Sequence, residues 1–321
     1  MDLLNNYINR FEEYLDLLEY DPTFANLYNP VKYTLENKGK RIRPAIVMLA
    51  YDAFGKNIEE VLPAALSIEV FHNFTLLHDD IMDDAPMRRG KDSVFKKYGL
   101  NAAILSGDAM LIQSYSYLQK YPNELFKKLM EIVNVNAIKV CEGQQLDMDF
   151  ETRDDVTISE YITMIELKTA VLIAGGLKMG ALIGGASDEQ SEHFYQFGKN
   201  IGIAFQLQDD ILDTYGDKFK VGKQKGGDII QQKKTYLYLK TVELLEGKAE
   251  TDFLELYHND GDDKVAAVTK IFDTVVIKEY AEQVKKAYLD LAYSHLNAIQ
   301  LNEKSKAQFV DFAKYLVERD Y

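Results

Sequence analysis

The sequence contains little cysteine, little proline and no long uninterrupted apolar run. Its single cysteine, Cys141, excludes a disulfide framework and is typical of a reducing cytoplasm. The most apolar stretch, residues 170–186, contains Lys178 and several glycines, whereas a transmembrane helix needs about 20 consecutive apolar residues. Residues 1–20 are acidic and amphipathic, without the basic start and apolar centre of a signal peptide. We therefore expect a cytoplasmic protein with no integral membrane association.

Positive charge is also in deficit. The formal net charge of −14 argues against broad binding of nucleic acid, which is itself a polyanion. The basic residues are nevertheless clustered, at residues 39–43, 88–91 and 218–234. Such clusters are compatible with a small anionic substrate, so we expect small-molecule partners and no nucleic acid.

The six prolines fall at the edges of segments, and between them apolar residues recur at intervals of three and four. This spacing predicts helices over 65–84, 158–183 and 276–318, and no convincing strand pair is visible. Because no Ser- or Pro-rich linker interrupts the chain, the pattern predicts an all-α fold in a single domain over residues 1–321, a bundle of about ten or more helices. The one long irregular stretch, residues 215–235, is rich in glycine and lysine, which favours a mobile lid.

One acidic pattern occurs twice. The sequence DDIMD at 79–83 is repeated as DDILD at 209–213, each within a helical run. Residues i and i+4 lie on one face of a helix, so Asp79 and Asp83 project together, as do their counterparts in the second copy. Like charges at this spacing repel, and hard carboxylate oxygens without cysteine ligands favour Mg²⁺ bound together with phosphate oxygens. The two copies are therefore predicted to bind magnesium and to face each other across the core of a bundle.

Basic residues flank the acidic segments. Arg88 and Arg89 follow the first acidic helix within one short loop, and the basic residues of 39–43 precede Pro44, which would open a helix. Guanidinium groups bind phosphate through two parallel hydrogen bonds, whereas lysines act as point charges. Acidic and basic motifs that alternate along one helical chain predict a site for metal ions and a diphosphate.

Taken in order, these motifs resemble those of the trans-isoprenyl diphosphate synthases of the polyprenyl synthetase family. The resemblance covers nearly the whole chain, and it is the ordered set of motifs that is specific, since each motif alone is modest. The matching segments are GKRIRP at 39–44, LLHDDIMD at 76–83, RRGK at 88–91, GDAML at 107–111, EGQQLD at 142–147, KTAVLI at 168–173, FQLQDDILD at 205–213, GKQKGGDI at 222–229 and KKTY at 233–236.

The resemblance implies an all-helical bundle around a central cavity and a Mg²⁺-dependent prenyltransferase. Such an enzyme joins isopentenyl diphosphate head-to-tail to an allylic diphosphate (dimethylallyl, geranyl or farnesyl) and releases pyrophosphate. Three Mg²⁺ ions are expected, with Asp79 and Asp83 holding two of them and Asp209 the third. The supporting aspartates would be Asp80, Asp210 and Asp213. The family also implies a homodimer.

The resemblance further implies which residues bind the substrates. Isopentenyl diphosphate would be held by Lys40, Arg43, His72 and Arg89. The allylic diphosphate would be held by Arg88, Lys168, Lys223 and Lys233. Thr169 and Gln206 would direct oxygen dipoles at the allylic carbon, so the catalytic set is expected to be Lys168, Thr169 and Gln206. Two choices stay open, Lys223 against Lys225 and Lys233 against Lys234, because the lysine-rich segments depart from the family's usual pattern.

The length of the product is predicted from the helix that precedes the first acidic motif. In the family the growing chain runs beside this helix, and one helical turn, about 5 Å, is close to the length of an isoprene unit. Phe74 and Thr75 lie one turn before Asp79, and Phe71 lies a further turn away. Because an aromatic residue at the position of Phe74 accompanies short products in the family, we expect a C15 or C20 product. The alternative is that Phe71 and Phe74 are simply core residues.

Three other functions fit parts of the pattern. A class I terpene cyclase shares the helical fold and one acidic motif, but it lacks the basic element at 39–44. A di-iron helical bundle would account for two Glu-x-x-His pairs, at 69–72 and 255–258, yet it leaves both acidic motifs unexplained. A non-catalytic partner subunit would have lost some of the aspartates or basic residues that this chain retains.

Overall fold

The computed structural model describes residues 2–37, 39–216, 226–259, 261 and 263–318. Its regular structure is almost entirely helical, which confirms the predicted all-α fold. The chain divides into two compact units, the first formed by Met1–Val135 and Gly175–Phe194, the second by Asn136–Ala174 and Tyr195–Tyr321. The single domain over residues 1–321 stays a prediction.

The core of the first unit is a helix that is buried on nearly all sides. The helices of this part of the chain are α1 (Asp2–Leu15), α2 (Ala25–Glu36), α3 (Ile42–Asp52), α4 (Leu62–Met82), α5 (Val94–Tyr98) and α6 (Leu100–Leu118). Helix α4 carries Pro63 in its first turn, where a missing N–H costs no intrahelical hydrogen bond. Most of its side chains are buried, as expected for a helix that is apolar all round, and α6, α3 and α1 pack against it.

A short hairpin follows α4, although the sequence showed no convincing strand pair. Strands β1 (Met87–Arg88) and β2 (Lys91–Asp92) pair antiparallel, with Arg88 opposite Lys91. The two residues between the strands, Arg89 and Gly90, have φ values of 53° and 75°, as a tight two-residue turn requires. The expectation was wrong because two-residue strands are too short to show periodicity and the turn is Arg-Gly rather than Asn-Gly.

The remaining helices follow in chain order. They are α7 (Asn123–Thr152), α8 (Ile158–Ile165), a π-helical turn (Glu166–Ala170), α9 (Val171–Gly184), α10 (Asp188–Tyr215), α11 (Gly227–Ile230), α12 (Tyr236–Leu244), α13 (Lys248–His258), α14 (Lys264–Thr274), α15 (Ile277–Ala298) and α16 (Glu303–Val317). Helix α8 begins at a capping box in which Thr157 and Glu160 bond each other's backbone N–H.

The run from Ile158 to Gly184 is the most apolar helical segment of the described chain. It is long and apolar enough to cross a membrane by composition, but 61% of its most apolar window is buried inside the structure. This burial is typical of a core helix.

The predicted helix over 276–318 is in fact two helices, α15 and α16. The chain leaves α15 at Ile299, which is extended (φ −83°, ψ 131°). Asn302 then caps α16, because its side-chain oxygen accepts a hydrogen bond from the N–H of Ser305 at 2.8 Å. Apolar spacing continues across the break, so periodicity alone did not reveal it.

Candidate active site

The first acidic motif closes α4. The backbone N–H of Asp83 donates to the carbonyl oxygen of Asp79 at 2.9 Å, so the two residues lie one turn apart on one face, as predicted. Asp79 is half-buried and Asp83 is exposed. Asp80, next to Asp79 in the chain, is buried.

Arg88 in β1 contacts two of these carboxylates. Its Nε donates to Oδ1 of Asp80 at 2.7 Å, and its Nη2 donates to Oδ2 of Asp79 at 3.1 Å. Burial raises the pKa of the Asp80 carboxyl, and the Arg88 guanidinium opposes that shift. Arg88 therefore contacts both Asp80 and Asp79, while Asp83, one turn from Asp79, is the exposed carboxylate of the motif.

Arg43 and His72 form the centre of a basic cluster in the first unit. Nη1 of Arg43 lies 3.0 Å from Nε2 of His72. Burial, together with the charges of Arg43 and Arg89, holds the pKa of His72 well below its usual value of 6.5, so the ring is neutral. Because a guanidinium group can only donate, Nε2 is the acceptor and Nδ1 carries the proton. Burial also lowers the pKa of Arg43 to about 10.

Arg89 is held against the loop before α3. Its Nη1 donates to the carbonyl oxygen of Asn37 at 2.8 Å, and Nδ2 of Asn37 donates back to the carbonyl of Arg88 at 3.0 Å. A Cβ atom at Gly39 would lie 2.6 Å from Cζ of Arg89, so the absence of a side chain there lets the guanidinium rest on the backbone. Lys40 follows and is exposed. All four residues predicted for isopentenyl diphosphate thus belong to the first unit.

Arg41, between Lys40 and Arg43, has a different task. It is buried with a left-handed backbone (φ 47°), and it donates to Glu12 and to Glu69, each at 2.6 Å. Oε1 of Glu69 also accepts from Asn73 at 2.9 Å. Arg41 is therefore a structural residue of the first unit. Since Arg41 occupies Glu69, the Glu69-x-x-His72 pair is not an iron site.

The second acidic motif lies near the end of α10 and has different neighbours. Asp210 is buried and accepts a short hydrogen bond from the hydroxyl of Tyr161. Burial and then the charge of Asp228 raise the pKa of Asp210 well above its usual value. Oδ2 of Asp213 accepts from the backbone N–H of Asp228 at 3.0 Å, and Asp209 is half-buried.

Asp228 in α11 is the carboxylate that the sequence analysis missed. The backbone N–H of Gly226 donates to the carbonyl oxygen of Asp213 at 2.8 Å, which ties the start of α11 to α10 and brings Asp228 beside the second motif. The GGDI segment contained Asp228, but a single aspartate without a second one at i+4 did not indicate a metal-binding pair. The predicted lid centre, with Lys223 and Lys225, lies outside the described residues.

Lys168 and Thr169 lie in the π-helical turn, a geometry that is rare and is often found at functional sites. Nζ of Lys168 is 2.5 Å from Oδ2 of Asp147 on α7. On α10, Gly202 contacts Ala170 of the same turn, and Gln206 lies one helical turn beyond that glycine. The second unit therefore carries all three residues predicted to be catalytic.

The two candidate lysines at 233 and 234 differ in burial. Lys234 is buried, and its ammonium group donates to the carbonyl oxygen of Phe150 at 2.8 Å and, at 3.4 Å, to that of Glu151. Both carbonyls belong to the last turn of α7, where a cation satisfies helix-end acceptors. Lys233 is exposed. The structure thus gives Lys234 a structural contact and leaves the side chain of Lys233 in solvent.

Two of the residues predicted to limit product length, Phe71 and Phe74, make edge-to-face aromatic contacts on α4. The rings of Phe71 and Phe74 are 5.6 Å apart, and those of Phe74 and His78 are 4.8 Å apart. Both phenylalanines are buried. The hydroxyl of Thr75 donates to the carbonyl oxygen of His72 at 2.8 Å, so it remains within its own helix.

The donor set fits magnesium bound jointly with a substrate. Within the described ranges, no three or more histidine, cysteine or acidic residues form a ready metal cage. Mg²⁺ usually takes one or two carboxylates and completes its shell with phosphate oxygens and water. The Asp79–Asp83 pair and Asp209 offer oxygen donors of this kind.

Known proteins share these features along nearly the whole chain. The sequence profile of the family described as Polyprenyl synthetase matches residues 24–275. The geranylgeranyl diphosphate synthase of Methanosarcina mazei is 38% identical over 302 residues, which cover 92% of this chain and 90% of that protein. The short chain isoprenyl diphosphate synthase of Methanothermobacter thermautotrophicus is 33% identical over 322 residues, with 100% and 99% coverage. A crystal structure of a geranylgeranyl pyrophosphate synthase matches with a TM-score of 0.93 at 40% identity and 98% coverage of both chains.

Proposed function

Because the chain belongs to the polyprenyl synthetase family and is a short-chain prenyltransferase that condenses isopentenyl diphosphate with allylic diphosphates, we propose specific roles for the residues of its two acidic clusters. The family generally uses Mg²⁺, and the substrates are small diphosphates. This activity replaces the terpene cyclase, di-iron and non-catalytic alternatives.

We propose that Asp79 and Asp83 hold two Mg²⁺ ions and that Asp209 holds a third. One observation carries this proposal: the middle aspartates, Asp80 and Asp210, are buried, whereas Asp79 and Asp209 are half-buried and Asp83 is exposed. The outer aspartates are therefore the more accessible ones for external cations. Magnesium bound there would neutralise the diphosphate and make pyrophosphate a better leaving group.

The allylic diphosphate is assigned to Arg88, Lys168 and Lys233. Lys233 is preferred to Lys234 because the latter already caps α7. When the bond between carbon and diphosphate oxygen breaks, oxygen dipoles of Thr169 and Gln206 would stabilise the allylic cation without adding to it. The double bond of isopentenyl diphosphate then attacks that carbon, and the departing pyrophosphate accepts the proton that is lost.

Isopentenyl diphosphate is assigned to Lys40, Arg43, His72 and Arg89. Neutral His72 accepts from Arg43 through Nε2, so its Nδ1–H is available as a donor to a phosphate oxygen. The three basic groups would supply the charge, and His72 would add direction without adding a further charge to a crowded cluster.

The product is proposed to be the C20 diphosphate, with C15 as the alternative, because the relatives include geranylgeranyl diphosphate synthases and Phe74 lies one turn before Asp79. The test is incubation with labelled isopentenyl diphosphate and each allylic primer, with and without Mg²⁺, followed by sizing of the dephosphorylated alcohols. We expect Mg²⁺-dependent extension that stops at C20. Conversion of a primer without consumption of isopentenyl diphosphate would contradict the proposed function.

Phe74→Ala tests whether Phe74 limits the length of the product. Removing the ring opens space beside α4, so we expect the product distribution to shift by about one isoprene unit, the length of roughly one helical turn. The ratio of chain lengths does not depend on how much enzyme is folded, so partial destabilisation leaves the measurement valid. An unchanged distribution of chain lengths would mean that residues other than Phe74 limit the length of the product.

A homodimer and a cytoplasmic location are proposed with the same activity. Helix α6 exposes large apolar side chains that a second copy would cover, Leu100, Ile104, Leu105 and Ile112. Sedimentation of the purified protein measures its mass in solution directly. The single cysteine supports the cytoplasmic location.

A further inference from the structure

The turn that carries Lys168 and Thr169 departs from α-helical geometry. Residues Glu166–Ala170 form a π-helical turn between α8 and α9. A π turn inserts an extra residue into a helix and is rare. The helices that pack against this turn therefore influence the positions of its side chains.

Helix α7 approaches this turn most closely at Gly143. A Cβ atom added there would lie 2.3 Å from the backbone nitrogen of Lys168 and 2.7 Å from its Cα. The neighbouring atoms are backbone, so no side chain could rotate away to make room. The absence of a side chain at Gly143 therefore allows α7 to pack directly against the backbone of Lys168.

One helical turn further along α7 lies Asp147, on the same face as Gly143. Its Oδ2 is 2.5 Å from Nζ of Lys168, and the two side chains are 29% and 27% exposed. The same helix therefore contacts Lys168 twice, at the backbone through Gly143 and at the ammonium group through Asp147. A long, flexible side chain is held at both ends.

Helix α10 meets the turn at Gly202. A Cβ atom at that position would lie 2.6 Å from both Cα and Cβ of Ala170. Glycines on two helices thus allow close approach at the two sides of one π turn.

We propose that Gly143 and Asp147 are positioning residues for the condensation. Gly143 sets the place of the π turn, and Asp147 fixes the orientation of the Lys168 ammonium group; neither touches the reacting atoms. This inference rests on the proposed role of Lys168 as a ligand of the allylic diphosphate. A side chain whose rotamer is fixed before the substrate arrives loses less entropy when it binds.

A double-mutant cycle tests the action of Asp147 through Lys168. We expect Asp147→Asn to lower kcat about tenfold with a smaller change in KM for the allylic substrate, and Lys168→Met to lower kcat about a hundredfold. The kcat of the double variant should equal that of Lys168→Met alone, because Asp147 is proposed to act only through Lys168. Asp147→Glu, which keeps the carboxylate, should recover most of the loss.

Two other results would contradict the role of Asp147 or that of Lys168. If the losses of Asp147→Asn and Lys168→Met multiply in the double variant, Asp147 acts independently and the inference fails while the proposed function stands. If Lys168→Met alone leaves kcat unchanged, the proposed role of Lys168 fails and the inference fails with it.

Gly143→Ala tests the backbone contact. We expect kcat to fall at least about tenfold while the helical circular dichroism is retained. The matched control is Gly176→Ala in α9, where the added Cβ meets side-chain carbons, a methyl group of Val47 at 3.2 Å and Ile46 at 3.8 Å. Wild-type kcat in Gly143→Ala would overturn the role of Gly143. Loss of folding in Gly143→Ala while Gly176→Ala folds would likewise overturn it, because Gly143 would then be required for folding rather than for positioning Lys168.

Discussion

The two acidic motifs have nearly the same letters but opposite electrostatic surroundings. In the first unit, the motif around Asp79 is accompanied by arginines, and Arg88 bonds two of its carboxylates. In the second unit, the motif around Asp209 is accompanied by a fourth carboxylate, Asp228, and its buried member is bonded by a neutral phenol, Tyr161.

Two copies of one motif can therefore have different roles. The first region combines carboxylates with guanidinium groups and is equipped to receive both a cation and a phosphate. Among the described residues, the contacts of the second region include the Tyr161 hydroxyl at Asp210 and the backbone N–H of Asp228 at Asp213. We expect an external cation to favour the carboxylates of the second region and a diphosphate to favour the guanidinium groups of the first.

The largest loss of activity is expected when one outer carboxylate is removed from each motif. Asp79→Asn and Asp209→Asn should each lower kcat about a thousandfold, because a neutral amide holds magnesium poorly. Incorporation of labelled isopentenyl diphosphate measures the effect. Excess Mg²⁺ should restore part of the activity in both variants.

Asp84→Asn is the matched control for these two variants. Asp84 is an exposed neighbour of the first motif with a left-handed backbone (φ 46°), a conformation that asparagine also tolerates. Its activity should equal that of the wild type. Retention of a tenth or more of the activity in Asp79→Asn would show that the first motif is not a magnesium site.

Arg88 is the guanidinium group that contacts the first motif. Arg88→Met should lower kcat about a hundredfold, since it removes the proposed ligand of the diphosphate and leaves buried Asp80 without this partner. Arg88→Lys keeps the charge but not the paired geometry, so a loss of about tenfold is expected. Wild-type activity of Arg88→Lys would show that the paired geometry does not matter at this position.

Tyr161→Phe tests the weaker compensation in the second unit. The change leaves the buried Asp210 carboxyl without its hydroxyl partner and should lower the free energy of unfolding by about 2 kcal/mol. Urea unfolding measures the loss. The control is Tyr195→Phe, which removes a phenol that bonds Asn136 instead of a carboxylate. An equal loss in both variants would mean that Asp210 does not depend on this hydroxyl.

The sequence predicted which residues belong to the site better than it predicted the contacts that those residues make. The all-α fold and the i, i+4 placement of Asp79 and Asp83 follow from local periodicity, so they were accessible. The contacts of Asp147 with Lys168 and of Asp228 with Asp213 join residues that are 21 and 15 positions apart. Contacts of this kind depend on packing and not on local spacing, so no pattern in the chain revealed them.

Arg41 and Lys234 illustrate the same limit for charged residues. Each adjoins a residue that is assigned to substrate binding, and only burial distinguishes them. Arg41 turns inward because its left-handed backbone directs it toward Glu12 and Glu69. Lys234 caps the end of α7. A run of basic letters therefore predicted where charge is concentrated, but not which of the charges remain available for a ligand.

The effect on stability of protons bound at His72 is expected to be smaller. Burial favours the neutral form of Asp210 in the second region and of His72 in the first. The charges that further lower the pKa of His72 belong to Arg43, Arg89, Arg88 and Arg41. As pH falls below 6.5, the unfolded chain therefore binds a proton at this position that the folded chain does not. Stability should then decrease by up to about 1.4 kcal/mol per pH unit from this group alone.

His72→Gln should remove this contribution, so its free energy of unfolding should fall less than that of the wild type between pH 7 and pH 5. Urea unfolding across that range gives both slopes. His258→Gln, which removes an exposed histidine of the second unit, is the matched control. Identical slopes for the wild type and His72→Gln would mean that His72 takes up a proton in the folded protein. The first region would then tolerate a further positive charge, and the contrast between the arginine-rich and the carboxylate-rich regions would lose its electrostatic basis.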